Sequence, residues 1–205
     1  MSHPPSPAGP PPSVSPSSVG PGQAPVLRID ARRNLERVKE EAERLFSERG
    51  SDVSIAEIAA AAGVGKATVY RSFPTKEDLL EAVALRRHGW FEERLTQALA
   101  EPVAWAAFER ILLDLATRLE RDRTLGEVLR AARGRPALQE RKAASLATLQ
   151  ALLDRAIAEG AMRPGTSAND VSLMVSGCSM ALTQDGGTAG DWRRLIGYVI
   201  DAFRA

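Results

Sequence analysis

Residues 55–73 read IAEIAAAAGVGKATVYRSF, and this stretch decides the fold. Two short helices that meet at a steep angle need a tight turn. Gly63 can take a positive φ there without steric cost. Ala59 is small where the first of the two helices must approach the second closely. Ile55, Ile58, Ala62, Val64, Val69 and Phe73 are spaced to form an inner apolar face. The second helix then turns Lys66, Ala67, Thr68, Tyr70, Arg71 and Ser72 outward. Pro74 stops it, because the residue before a proline avoids the α region. The pattern predicts a helix-turn-helix whose second helix is free to enter a DNA major groove.

Working outward, Ser54 and Glu57 form a capping box in front of the first of these helices. Upstream, Asp30 reads as the N-cap of a longer helix with Leu35, Val38, Ala42, Leu45 and Phe46 on one face, ended by Gly50. Downstream, Thr75 and Asp78 open a fourth helix that continues through Leu79, Val83, Trp90 and Leu95 to about Leu99. Further helical patterns start near Pro102 and cover about 125–132, 136–159, 168–183 and 191–203. No stretch reads convincingly as a strand. The predicted fold is all-α: a tail over 1–27, a three-helix DNA-binding domain over 28–76, and a helical ligand-binding and dimerisation bundle over 77–205.

Composition supports that class. Of 205 residues, 44% are hydrophobic but only 5% aromatic, and Ala, Leu, Arg and Glu dominate, which favours helices over a β-sandwich or barrel. The single cysteine, Cys178, excludes an internal disulfide and a cysteine-based zinc site. No apolar run is long enough to span a bilayer. The start of the chain lacks a signal-peptide pattern, so a cytoplasmic location, with no membrane, metal or cofactor, is expected. Residues 1–25 hold nine of the 13 prolines and no Lys, Arg, Asp or Glu, which predicts a disordered tail.

A net charge of +1 gives no global attraction to nucleic acid. The local pattern does: residues 58–76 contain Lys66, Arg71 and Lys76 and no acid, and phosphate contacts supply most of the affinity for DNA. Arg28, Arg32 and Arg33 add cations before the first helix.

The stretch from Ser54 to Leu80, SIAEIAAAAGVGKATVYRSFPTKEDLL, resembles the DNA-binding domain of the tetracycline-repressor (TetR) family. That resemblance covers about 50 residues. It implies a homodimeric transcriptional regulator, a repressor released from a pseudo-palindromic double-stranded operator by a small-molecule effector, and not an enzyme. It also implies that Tyr70 and Lys76 touch phosphates, with Lys66, Ala67, Thr68 and Arg71 near base edges. Ser54, Ser72, Arg32 and Arg33 complete the expected DNA-facing set. Gly65 departs from the family pattern, where many members carry Ser or Thr. Glycine caps a helix without a side-chain contact.

The fourth helix is the one continuous rod linking both halves. Trp90, Phe91 and Leu95 lie on its far end, and Trp105, Phe108 and Leu112 start the helix that folds back beside it. With Leu129, Met174 and Cys178 they are expected to wall a pocket for a mostly apolar ligand. The segment 171–182 is apolar on more than one face, and a helix apolar all round must be covered all round. Val171, Leu173, Gly177 and Met180, with Leu195, Val199 and Phe203 of the last helix, are therefore expected to pair across a two-fold axis.

Two readings compete. One is a helical small-molecule-binding or scaffold protein whose helix-turn-helix only packs. The other is an enzyme using Ser179 in GCSMA with His88, but that serine lies in a helical pattern rather than a strand–turn–helix. His88 follows Arg86 and Arg87 and reads as part of a solvated helix face. Arg130, Arg133 and Arg135 read as a loop cluster.

Overall fold

The computed structural model describes residues 23–121, 128, 131–132, 134–184 and 188–205. The chain divides into two compact units, residues 1–33 and 34–205, and the packing described below belongs to the second. Eight helices lie among the described residues: α1 (Gln23–Arg49), α2 (Ile55–Ala61), α3 (Lys66–Ser72), α4 (Lys76–Leu99), α5 (Ala104–Arg121), α6 (Pro136–Ala158), α7 (Ala168–Gln184) and α8 (Ala189–Phe203). A single antiparallel bridge joins Met162 to Arg204.

The helix boundaries follow local chemistry. Ser54 and Glu57 form the expected capping box, as do Thr75 and Asp78, and Thr188 with Asp191 makes a third at α8. Gly63 has φ +63°, and a Cβ there would stand 2.9 Å from Arg37 Nη2. That guanidinium donates to the Ala62 carbonyl, closing the end of α2 from α1. The start of α1 differs from expectation. The helix begins at Gln23, seven residues before the expected cap at Asp30. No helix breaker separates Pro25 from Asn34, and a proline is tolerated in a first turn because its missing N–H has no partner there.

Two hydrophobic clusters fill the second unit. One unites Val38, Ala42, Phe46, Ile58, Val69 and Phe73 with Leu79, Leu80, Val83 and Ala84 at the start of α4. The other gathers Leu95 and Ala98 at the far end of α4 with the inner faces of α5, α6, α7 and α8. α4 therefore contributes to both cores. Val128 and Ala132, ahead of α6, and Leu138 in its first turn belong to the first cluster. The expected short helix over 125–132 otherwise lies outside the described residues, as do Leu129, Arg130, Arg133 and residues 1–22 of the tail.

Three expected partner-facing residues are instead internal. Val171, Val199 and Phe203 are buried in the second cluster, because α7 packs against α6 and α8, α8 packs along α5, and Phe203 meets Phe108 edge-on at 6.4 Å.

Candidate functional site

The helix-turn-helix presents the face that its spacing requires. Ile55, Ile58, Ala59, Ala62, Val69 and Phe73 are buried, and Val64 is half-buried. Lys66, Ala67, Thr68, Tyr70, Arg71 and Ser72 are all exposed, and Lys76 is half-buried at the first turn of α4. Tyr70 keeps half of its surface free, which is unusual for a large aromatic side chain with an apolar core beside it. Gly65 caps α3 in an extended conformation with no side-chain hydrogen bond. Arg32 and Arg33 are exposed in the first unit.

Ser54 has a defined structural task. Its backbone N–H and hydroxyl both donate to the Glu57 carboxylate, at 2.9 and 2.7 Å, and Glu57 N–H returns a bond at 3.3 Å. Those bonds, with Arg49 nearby, hold the Glu57 carboxyl down to about 2. Thr75 and Asp78 repeat the arrangement at α4. Both boundaries that orient α2 and α4 around the reading helix are thus fixed by charge-assisted caps.

Buried polar groups tie the reading unit to α4. Arg87 is almost fully buried, against its expected place on a solvated face. It donates to Ser47 Oγ at 2.5 Å and to the Glu43 carbonyl at 3.1 Å, joining α4 to α1. Its neighbour Arg86 stays outside and pairs with Glu43 at 2.9 Å.

His88 is also buried. Its Nε2 lies 2.9 Å from Ser145 Oγ on α6 and 3.8 Å from the Glu92 carboxylate. Burial pushes the imidazole below its ordinary range, against the pull of Glu92, while Arg141 and Lys142 oppose a second cation there. Serine and acid approach the same ring nitrogen. In a hydrolytic triad they would occupy opposite nitrogens, so these three residues do not form one. The Ser179–His88 pairing considered from sequence is also not supported, since His88 turns to α6.

The residues expected to wall an apolar pocket separate into four groups. Trp105, Phe108 and Leu112 are buried in the second cluster, with the Trp105 and Phe108 rings 5.5 Å apart. Phe91 and Cys178 pack against that cluster, half-buried, and burial raises the Cys178 thiol pKa. Met174 is exposed and faces away from the interior. Trp90 lies beneath Arg118, 4.7 Å from the ring centroid, with Arg94 at 5.6 Å. A pocket of about 200 Å³ does occur, but between α4 and α6. Glu92, Leu95, Thr96, Ala144, Ser145 and Thr148 line it, so only Leu95 was anticipated.

Charged groups that spacing had not brought together meet along this same seam. Arg141 engages Glu92, and its Nε donates at 2.7 Å. Closer to the reading unit, Arg135 engages both Asp78 and Glu81. Arg135 sits outside the helix, as expected of a loop residue, at the N-cap of α6, where it is ion-paired. One sequence signal pointed this way: His88/Glu92 and Arg141/Ser145 are both i, i+4 pairs, each on one helical face.

Of the expected partner-facing residues, Leu173 is 63% and Met180 54% exposed. Gly177 is exposed and Leu195 half-buried. Tyr198 of α8, 61% exposed, joins them. No ≥3-membered His/Cys/Asp/Glu metal cluster is found among the described residues, and no described helix is long and apolar enough to cross a membrane.

Known proteins resemble this chain in the same places. Residues 40–83 match the N-terminal family described as bacterial regulatory proteins, tetR family. An HTH-type transcriptional regulator of Staphylococcus aureus (strain USA300) is 41% identical over 61 residues, which is 29% of this chain and 33% of that protein. The chain thus spans about a third of the length of the curated relatives it matches. A TetR transcription regulatory protein from Mycobacterium vanbaalenii superposes with a TM-score of 0.57 at 32% identity, covering 87% of this chain and 99% of that one. A TetR transcriptional regulator from Streptomyces coelicolor gives a TM-score of 0.61 at 27% identity, over 82% and 97%.

Proposed function

This chain belongs to the TetR family of bacterial regulatory proteins, and on that premise we propose that it is a homodimeric repressor released from its operator by a small molecule. Members of the family are DNA-binding transcriptional regulators. One observation carries the reading for this chain. The outer face of α3 is exposed along its whole length and carries two cations and no acid, while its inner face is buried. A helix-turn-helix that served only packing would also leave a polar face to solvent, but it would have no need to keep residues 58–76 free of acid around three cations or to leave Tyr70 half exposed among them.

The apolar residues Leu173, Met180 and Tyr198, with Gly177 between the first two, support a two-fold pairing through α7 and α8. To read two half-sites, such a pairing must set the two copies of α3 about 34 Å apart, one turn of DNA. Ligand control is supported by α4, which runs from the reading unit into the second core. Location in the cytoplasm follows from the same reading, since the target is DNA.

A salt titration of binding to genomic fragments carrying the chain's own promoter region tests this reading. Affinity should fall steeply and linearly with log salt, as phosphate contacts release counterions. A flat salt response, or equal affinity for scrambled DNA at every salt, would return the protein to the scaffold class.

A further inference from the structure

The pocket between α4 and α6 has a one-sided chemistry. Its volume, about 200 Å³, is below the roughly 300–1,000 Å³ of sites that hold drug-sized ligands, so it suits a small molecule. Thr96 Oγ1 donates to the Glu92 carbonyl at 2.9 Å, and Thr148 Oγ1 to the Ala144 carbonyl at 3.1 Å. Both hydroxyl hydrogens are committed within their own helices, and each oxygen offers only lone pairs to the pocket. Ser145 is engaged with His88. Arg141 holds the Glu92 carboxyl below its ordinary value, so Glu92 is ionised and accepts only. A bidentate guanidinium occupies about two of the roughly four acceptor positions of a carboxylate, leaving the others open. The one charged residue of the lining, Glu92, is an anion shared with Arg141, and the open hydrogen-bonding capacity of Glu92, Thr96 and Thr148 is for accepting. Leu95 and Ala144 supply apolar contact.

Building on the reading above that the chain is a ligand-released regulator, we propose that this seam pocket is the effector site and takes a small organic ammonium ion, whose N–H groups bond Glu92, Thr96 and Thr148. The ligand class differs from the apolar one expected from sequence, because the aromatic side chains fill the core and a carboxylate with two hydroxyls lines the opening. Binding has a mechanical consequence. The ammonium and Arg141 compete for one carboxylate, and weakening the Arg141–Glu92 pair loosens the second turn of α6 from the C-terminal half of α4. The same two helices are joined again at Arg135, which holds Asp78 and Glu81 just beyond the reading helix. A displacement of α6 thus acts on the first turns of α4.

The test uses the full chain with Ala, Leu and Thr methyl groups labelled for NMR. Three probes of like size are titrated: 2-phenylethylammonium, 2-phenylethanol and 3-phenylpropanoate. The ammonium should shift the Leu95, Ala144 and Thr148 methyls and bind at least tenfold more tightly than either analogue. Glu92→Gln should weaken it at least tenfold. Arg141→Gln, which frees the carboxylate, should tighten it severalfold, a gain that loss of folding cannot imitate. The site is overturned if no probe shifts those methyls, if the alcohol or the carboxylate binds as tightly, or if Arg141→Gln leaves affinity unchanged or lower. Adding the ammonium to the DNA complex separates the two claims. Binding at the seam without loss of operator affinity overturns the effector role but leaves DNA recognition standing. A chain that never binds DNA, yet binds the ammonium as described, overturns the regulatory reading and leaves the pocket.

Discussion

Arg135 Nε donates to the Glu81 carboxylate across 2.9 Å, joining the N-cap of α6 to the second turn of α4. The same guanidinium reaches Asp78, which also caps α4 through Thr75. A single cation thus holds the helix that follows the reading unit at its first turns. Arg135→Ala is expected to fold normally, with little change in Tm, because the pair is partly exposed. Operator affinity should fall severalfold as the start of α4 gains freedom. Fluorescence anisotropy with labelled operator decides it, and unchanged affinity would show that the clip does not position the reader.

The exposed face of α3 divides into two expected behaviours. Arg71→Ala should lower affinity for operator more than for scrambled DNA, by about 1–3 kcal/mol of discrimination. Lys76→Ala should lower both alike and reduce the salt slope by about one unit. If Arg71→Ala lowers both affinities equally, Arg71 contacts phosphate rather than a base edge.

Two acid-sensitive windows are expected in folding stability. His88 has an ordinary value of 6.5 that burial lowers, so as pH falls the unfolded chain binds this proton first. Its contribution is complete above 6.5 and is lost as pH drops through the lowered folded value. Glu57 acts further down: its contribution is present above 4.5 and disappears as pH falls toward about 2. Thermal melts between pH 7 and 2 should show both arms. His88→Gln should flatten the first only, and Ser54→Ala should make the second shallower without removing it, because Asp78, Glu92, Asp170 and Asp191 are held low as well. A His88→Gln profile that overlays the wild type would mean the imidazole is not desolvated.

Gly177 is the position to disturb for dimerisation. A Cβ there meets nothing within 4 Å in the chain, so Gly177→Arg should leave the monomer fold intact. By sedimentation it should run as a monomer at micromolar concentration where the wild type is a dimer, and its operator affinity should fall at least tenfold. A dimeric Gly177→Arg would place the partner elsewhere.

Phe108 separates a packed core from a pocket wall. It is fully buried between Trp105 and Phe203. Phe108→Ala should cost about 3–5 kcal/mol, and Phe108→Trp about 1–3 kcal/mol through overpacking. Denaturant titrations measure both. A neutral Phe108→Trp would reveal unfilled space beside the ring.

The reading helix was legible because its signals are local. Gly63, the Ser54 and Thr75 caps and Pro74 each act within about four residues, and the face of α3 follows from 3.6-residue periodicity alone. The assignment of apolar residues to inside or outside was less legible. Val171 and Leu173 are equally apolar, and which of them turns inward depends on where α8 packs. The buried cations were not legible at all. Nothing in RRH at 86–88 says that Arg86 is solvated while Arg87 and His88 are enclosed, since that depends on Ser47 and Ser145, about 40 and 57 residues away.

That α4 belongs to both cores has a geometric cost that can be stated in base pairs. Glu92 and Lys76 are 16 residues apart on one helix, about 24 Å at about 1.5 Å per residue. A tilt of about 5° at the seam would carry the first turn, and α3 beside it, through about 2 Å. Two protomers moving apart would change the separation of their readers by about 4 Å, slightly more than the roughly 3.4 Å rise of one base pair. A regulator built this way need not unfold or expel its reading helices to leave the operator. In the dimer proposed above, it would need only to fit a site one base pair longer.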